Sequence, residues 1–144
     1  MHTKGTRFAV HRAVLCAASP VFEAAFQSSM QEGTTASFTV RDAEPVAVEA
    51  MLRFIYTDTY PRKDQGDQDE GLDPVQVVEL GVFYQIDELV AAAVEDILEG
   101  VTADNVCQRG AVLKRHADHA ALAGKLTQFR EIVKKDDALF DALL

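Results

Sequence analysis

Disulfides, membrane spans and the common catalytic signatures are what this 144-residue chain lacks. It has two cysteines, Cys16 and Cys107, each in an apolar helical pattern and neither in a C-x-x-C pair. A disulfide framework or a cysteine-built zinc site is therefore excluded, and both thiols are expected reduced, buried and intracellular. No run approaches the roughly 18 apolar residues of a membrane span. The first residues, from Met1 to Thr6, have no apolar core of the kind a signal peptide needs. No G-x-S-x-G, phosphate-binding loop or G-x-G-x-x-G occurs. The expected setting is the nucleus or the cytoplasm.

Positive charge is also scarce, and the deficit is local. The formal net charge is −9. Residues 58–99 hold twelve acidic side chains against Arg62 and Lys63, a net of −10, while the two flanks nearly balance. An acidic middle repels phosphate, so direct nucleic-acid binding is not expected. A basic or apolar protein surface suits it better. Nearly half the residues are apolar, and a chain this long buries roughly 70% of its unfolded surface, so one ordinary globular domain needs no staples.

The chain is organised around residues 7–32. Phe8 and Val10 are two apart, as in a half-buried strand over about 6–10. The period then changes: Ala13, Val14, Ala17 and Ala18 share a helical face, giving a helix over 11–18. Ser19-Pro20 breaks it and starts another over 20–28, with serine as cap and proline at the first helical position. Val21, Phe22, Ala25 and Phe26 make its buried stripe. Residues 28–33 are polar and rich in breakers, hence a loop. Phe38 and Val40 alternate with polar neighbours, which predicts a second strand over about 36–41.

This stretch resembles the start of a BTB/POZ domain. The residues that carry the likeness are Phe8-x-Val10-His11-Arg12-x-x-Leu15, then Ser19-Pro20-x-Phe22 and Phe26. A second match lies at Leu52-x-Phe54-Ile55-Tyr56-Thr57-Asp58-x-Tyr60, close to the family's LxFIYTGxY. A partial third runs from Phe83-Tyr84-Gln85-Ile86 to Leu89, against ADKYxIxxL. Met1 arrives too soon for the strand that the family hairpins to this one, so the first strand is expected to be truncated and its edge unpaired.

The rest of the chain reads as helix and one loop. Ala47, Val48, Met51, Leu52, Phe54 and Ile55 predict an amphipathic helix from Pro45 to Tyr56. Residues 61–74 hold a single apolar side chain, Leu72, and form an acidic loop. A calcium loop starting at Asp67 fails on spacing, because its sixth and twelfth positions are Leu72 and Val78. After Pro74, Val75, Val78, Val82 and Ile86 mark a stripe that Leu80 and Phe83 widen. Leu89, Val90, Ala93, Val94, Ile97 and Leu98 follow Asp87 and stop at Gly100. Thr102 is expected to cap a helix to about His116, weakened at Gly110. Leu122, Leu126, Phe129 and Ile132 or Val133 define the next helix. Asp136-Asp137 starts the last.

The expected fold is α+β and BTB/POZ-like: a two- to three-stranded sheet flanked by five core helices, with two or three C-terminal helices. Residues 1–100 would form the core, and 101–144 resembles the helical extension that follows many BTB cores, before or within a BACK-type region. The resemblance implies a non-catalytic protein–protein interaction module with no cofactor. In family members that recruit a cullin scaffold, the loop after the second helix carries an apolar-x-Glu motif. Met30 and Glu32 would take those roles in an adaptor for a cullin-RING ubiquitin ligase. The alternative is a homodimerising scaffold or transcriptional-regulator arm using residues 11–22, with His11, Ala13, Val14, Ala17 and Phe22 in dimer or structural roles. His11 is expected to bond a backbone group or a carboxylate at the strand–helix turn. As a general base it would need a nucleophile, and Cys16 lies off its helical face. A small metal-dependent enzyme built on the acidic loop, His116 and His119 is the third reading; otherwise those histidines are exposed on a helix.

Overall fold

The structure, a computed structural model, describes residues 1–27, 39–40, 43–61 and 71–143. It opens on a hairpin, not on an unpaired strand. β1 (His2–Thr3) pairs antiparallel with β2 (Thr6–Arg7), with His2 opposite Arg7 and Thr3 opposite Thr6. Lys4 and Gly5 make the turn, both at positive φ, as a two-residue hairpin turn requires. Met1 and Phe8 extend the ladder: the Phe8 N–H donates to the Met1 carbonyl at 2.7 Å and the terminal amine to the Phe8 carbonyl at 3.0 Å. The expectation of an open edge is thus corrected, because the first three residues supply the missing partner. Thr3, fully buried, donates its hydroxyl to the Ala43 carbonyl at 2.7 Å, and Lys4 pairs with Glu44. The second strand expected over 36–41 lies mostly outside the described residues; Thr39 forms an isolated bridge.

Helices follow, and prolines start three of them. α1 is Arg12–Ala18, α2 Pro20–Gln27, α3 Pro45–Thr57, α4 Pro74–Phe83 and α5 Asp87–Glu99. Proline is preset for the first helical turn, where its missing N–H costs nothing. Asp73 adds a cap, accepting from the Val75 N–H at 3.0 Å. α3 packs on α4 and α4 packs on α5, so Val48, Met51, Val77, Val78, Leu89, Val90 and Val94 meet in one core. The α4–α5 approach is close. A Cβ added at Gly81 would stand 2.7 Å from Val90 Cγ2.

Behind the core stand α6 (Val106–Arg115), a 3₁₀ turn (Ala120–Leu122), α7 (Lys125–Lys134) and α8 (Asp137–Leu143). Among the described residues this makes five helices followed by three. Two expected starts move. α6 begins at Val106, whose N–H donates to the Thr102 carbonyl at 2.9 Å, and it is Asn105 that precedes it, using its side chain on the Thr102 N–H and the Gly100 carbonyl. Leu122 lies in the 3₁₀ turn, since Gly124 at φ 74 separates it from α7. α6 runs unbroken through Gly110, where the Phe129 ring lies so close that an added Cβ would stand 2.9 Å from it. Both thiols are expected buried, but Cys16 is half-buried and Cys107 is exposed, next to the buried Val106.

Candidate functional site: the surface of the first helix pair

α1 is held from inside and open outside. Leu15 is fully buried, while Ala13 and Ala17 are exposed and Val14 and Ala18 half-buried. With Ile55 of α3 these residues line a shallow apolar trough of about 460 Å³. A neighbouring trough of about 400 Å³ shares Ala17, Ala18 and Ile55 and is bordered by Asp58, Asp87 and Glu88. Phe22, placed by the sequence with the dimer or structural residues, is structural: it is fully buried, because the α2 stripe turns it into the core. Its ring stacks on Tyr84 at 4.3 Å and 7°.

His11 has a partner other than those expected. Its N–H donates to the Tyr56 hydroxyl at 2.7 Å, and its Nδ1 lies 3.1 Å from that same oxygen. An oxygen that accepts from a backbone N–H has its own proton left to donate. Tyr56 therefore bridges the entry to α1 from the end of α3, which also accounts for an exposed aromatic there. Neither a backbone carbonyl nor a carboxylate is needed. No spacing rule points to this pairing beyond Tyr56 falling one helical turn past Leu52.

Ser19 fixes the two helices to each other. Its backbone ends α1, with the Ser19 N–H on the Leu15 carbonyl at 3.0 Å, and its hydroxyl oxygen accepts from the Phe22 N–H at 3.3 Å. The same hydroxyl donates to the Tyr84 carbonyl in the α4–α5 turn. Burial pushes the Tyr84 phenol up to about 12. The phenol of Tyr60 is pushed up too, by burial first and then by Asp96, whose carboxylate accepts from it at 3.1 Å.

Other expectations resolve as follows. Met30 and Glu32 lie outside the described residues, as do residues 62–70 of the acidic loop. Phe83 does not widen the α4 stripe: α4 ends on it, and its side chain is 66% exposed. Tyr84 turns inward instead, and Gln85 at φ 57 reverses the chain so that Ile86 can be buried. His116 and His119 are not exposed on a helix. His116 closes α6 and meets Glu79 at 3.0 Å; His119 starts the 3₁₀ turn and meets Asp87 at 3.2 Å. Each thus ties the segment after α5 to a carboxylate of α4 or α5. Among the described residues no group of three or more His, Cys, Asp or Glu side chains could hold a metal ion. No helix among them is long and apolar enough to cross a membrane.

Comparison with known proteins agrees with this architecture. A 57-residue stretch, 40% of this chain, is 40% identical to "TD and POZ domain-containing protein 4" of Mus musculus, covering 15% of that protein. A 66-residue stretch, 46% of the chain, is 38% identical to "Kelch-like protein 40a" of Danio rerio, covering 11% of it. The chain therefore corresponds to a small part of these relatives' length. The family model for the BTB/POZ domain matches residues 1–101, and the chain belongs to that family of protein–protein interaction modules.

Proposed function

We propose that this chain is a non-catalytic adaptor that holds a substrate-recruiting unit against a cullin-type ubiquitin ligase, with Met30 and Glu32 as the contact residues. The observation that carries the reading is the position of the motif. Met30-x-Glu32 begins three residues after α2 ends at Gln27, where cullin-recruiting members of the family carry their apolar-x-Glu. α2 is a firm base for it, anchored by the buried Phe22 and Phe26. The apolar side chain would fill a pocket on the scaffold and the carboxylate would orient it by charge-assisted hydrogen bonding. The test is a pull-down with a cullin N-terminal domain, comparing the wild type with Met30→Ala/Glu32→Ala. Capture of the wild type and loss in the double variant are expected. Equal capture of both removes the motif from the account.

The α1 surface supports a second reading, a homodimerising scaffold or transcriptional-regulator arm without a cullin. Ala13 and Ala17 are small and exposed beside Val14 and Ile55, so another helix could approach closely there. Sedimentation over a range of concentrations tests it, with Ala17→Glu as the variant that should dissociate such a dimer. A monomer at every concentration ends this reading.

A further inference from the structure

Both ring nitrogens of His119 are engaged, each by a different element. Its Nδ1 accepts from the Ala121 N–H at 3.1 Å and so caps the 3₁₀ turn Ala120–Leu122. Its Nε2 lies 3.2 Å from Asp87 Oδ1 at the start of α5. A ring nitrogen that accepts carries no proton of its own. The neutral ring therefore holds its one proton on Nε2 and donates it to Asp87. A second proton can go only to Nδ1, where it would face the Ala121 N–H. The cap does not survive in the charged ring, because two donors would then meet with no acceptor between them.

His116, three residues earlier, behaves differently. It meets Glu79 of α4 through Nε2, and Arg115 engages the same carboxylate. Nε2 carries a proton in the charged ring and can carry one in the neutral ring, so this contact persists in both states. The other charges of the segment are taken or face water: Lys125 of α7 pairs with Glu95 of α5, and Asp118 is exposed. Acid thus acts on one end of the link between α6 and α7. Asp87 is 71% exposed, so the ion pair gained there is weak and does not replace the cap. The turn sits at a joint. It packs on α5, its Leu122 is buried, and Gly124 follows at φ 74 with open space around it.

We propose that His119 is a proton-operated cap: its neutral ring closes the 3₁₀ turn between α6 and α7, and its protonation opens that turn. Histidine is the side chain whose charge ordinarily changes between pH 5 and 8, so the joint loosens within that window as pH falls. This holds whether or not the chain binds a cullin. Amide exchange at Ala121 tests it, followed by NMR on the whole chain from pH 8 to pH 5 and corrected for the intrinsic exchange rate. Protection at Ala121 should fall about fivefold, the usual worth of a cap, while amides inside α6 keep theirs. His119→Asn retains an acceptor at the cap and has no proton to gain, so its protection should stay level across the range. His116→Gln should leave the step in place; its disappearance there would assign the titration to His116 and end the proposal. The ring nitrogens of the wild type give a check that needs no variant, because at pH 8 they should show the His119 proton on Nε2. A proton on Nδ1 at pH 8, level protection at Ala121 in the wild type, or the same fall in His119→Asn would each overturn the proposal.

Discussion

Replacing Ser19 with alanine removes one oxygen atom from a place that three helices share. The side chain is 1% exposed. Its hydroxyl accepts from the first turn of α2 and donates to the carbonyl that begins the α4–α5 turn. Loss of a helix cap costs about 0.5–2 kcal/mol. Withdrawing a partner from a buried polar group costs about 1–3 kcal/mol. The two overlap, so about 2 kcal/mol is the expected loss, or a melting point lower by about 7 °C for a domain near this size. Urea denaturation would read it as a lower midpoint at unchanged slope. Ser19→Asp separates the two contributions. Aspartate caps a helix as well as serine does, but ionised it cannot donate to the Tyr84 carbonyl, and its charge would be buried. Ser19→Asp should therefore be less stable than Ser19→Ala. A loss under about 0.5 kcal/mol in Ser19→Ala, or Ser19→Asp as stable as wild type, would refute the reasoning.

Gly81→Ala should lower stability by about 1–2 kcal/mol despite alanine's better helix propensity, because its Cβ would meet Val90 Cγ2 at 2.7 Å; thermal melting without a loss would show that the two helices can separate freely. Asp58 ends α3 at φ 57, where the family pattern has glycine, so Asp58→Gly should raise stability by about 0.5–1 kcal/mol; a lower melting point would count against it. Tyr84 is held above its ordinary 10.0, at about 12, and so favours the neutral phenol in the folded state. Its contribution is whole below pH 10 and is lost as pH rises toward 12, about 3 kcal/mol. Melting points should fall over that window, and less steeply in Tyr84→Phe; equal slopes would contradict the assignment.

What the sequence made legible follows from range. Ser19-Pro20 marks a helix break because cap and proline preferences are local, and the break falls between α1 and α2 as read. The α5 stripe from Leu89 to Leu98 is long enough for its period to be unambiguous, and all six of its apolar residues are buried. β1 and β2 have two residues each, too short for any alternation to show. Phe83 fits the α4 period as well as Leu80 does; only the reversal at Gln85 puts it outside. Gly110 reads as a helix breaker until Phe129 is known to lie against it. The site partners were illegible for the same reason. Tyr56 reaches His11 across 45 positions, and Glu79 reaches His116 across 37, separations that no spacing rule connects.

Hydrogen–deuterium exchange on the wild-type chain, with and without a cullin N-terminal domain, tests most directly whether this fold serves a protein partner. The account predicts slowed exchange on binding in the peptides covering residues 20–32, with α6 to α8 unchanged. Slowing confined to α6 to α8, or no change anywhere at saturating scaffold, would contradict it.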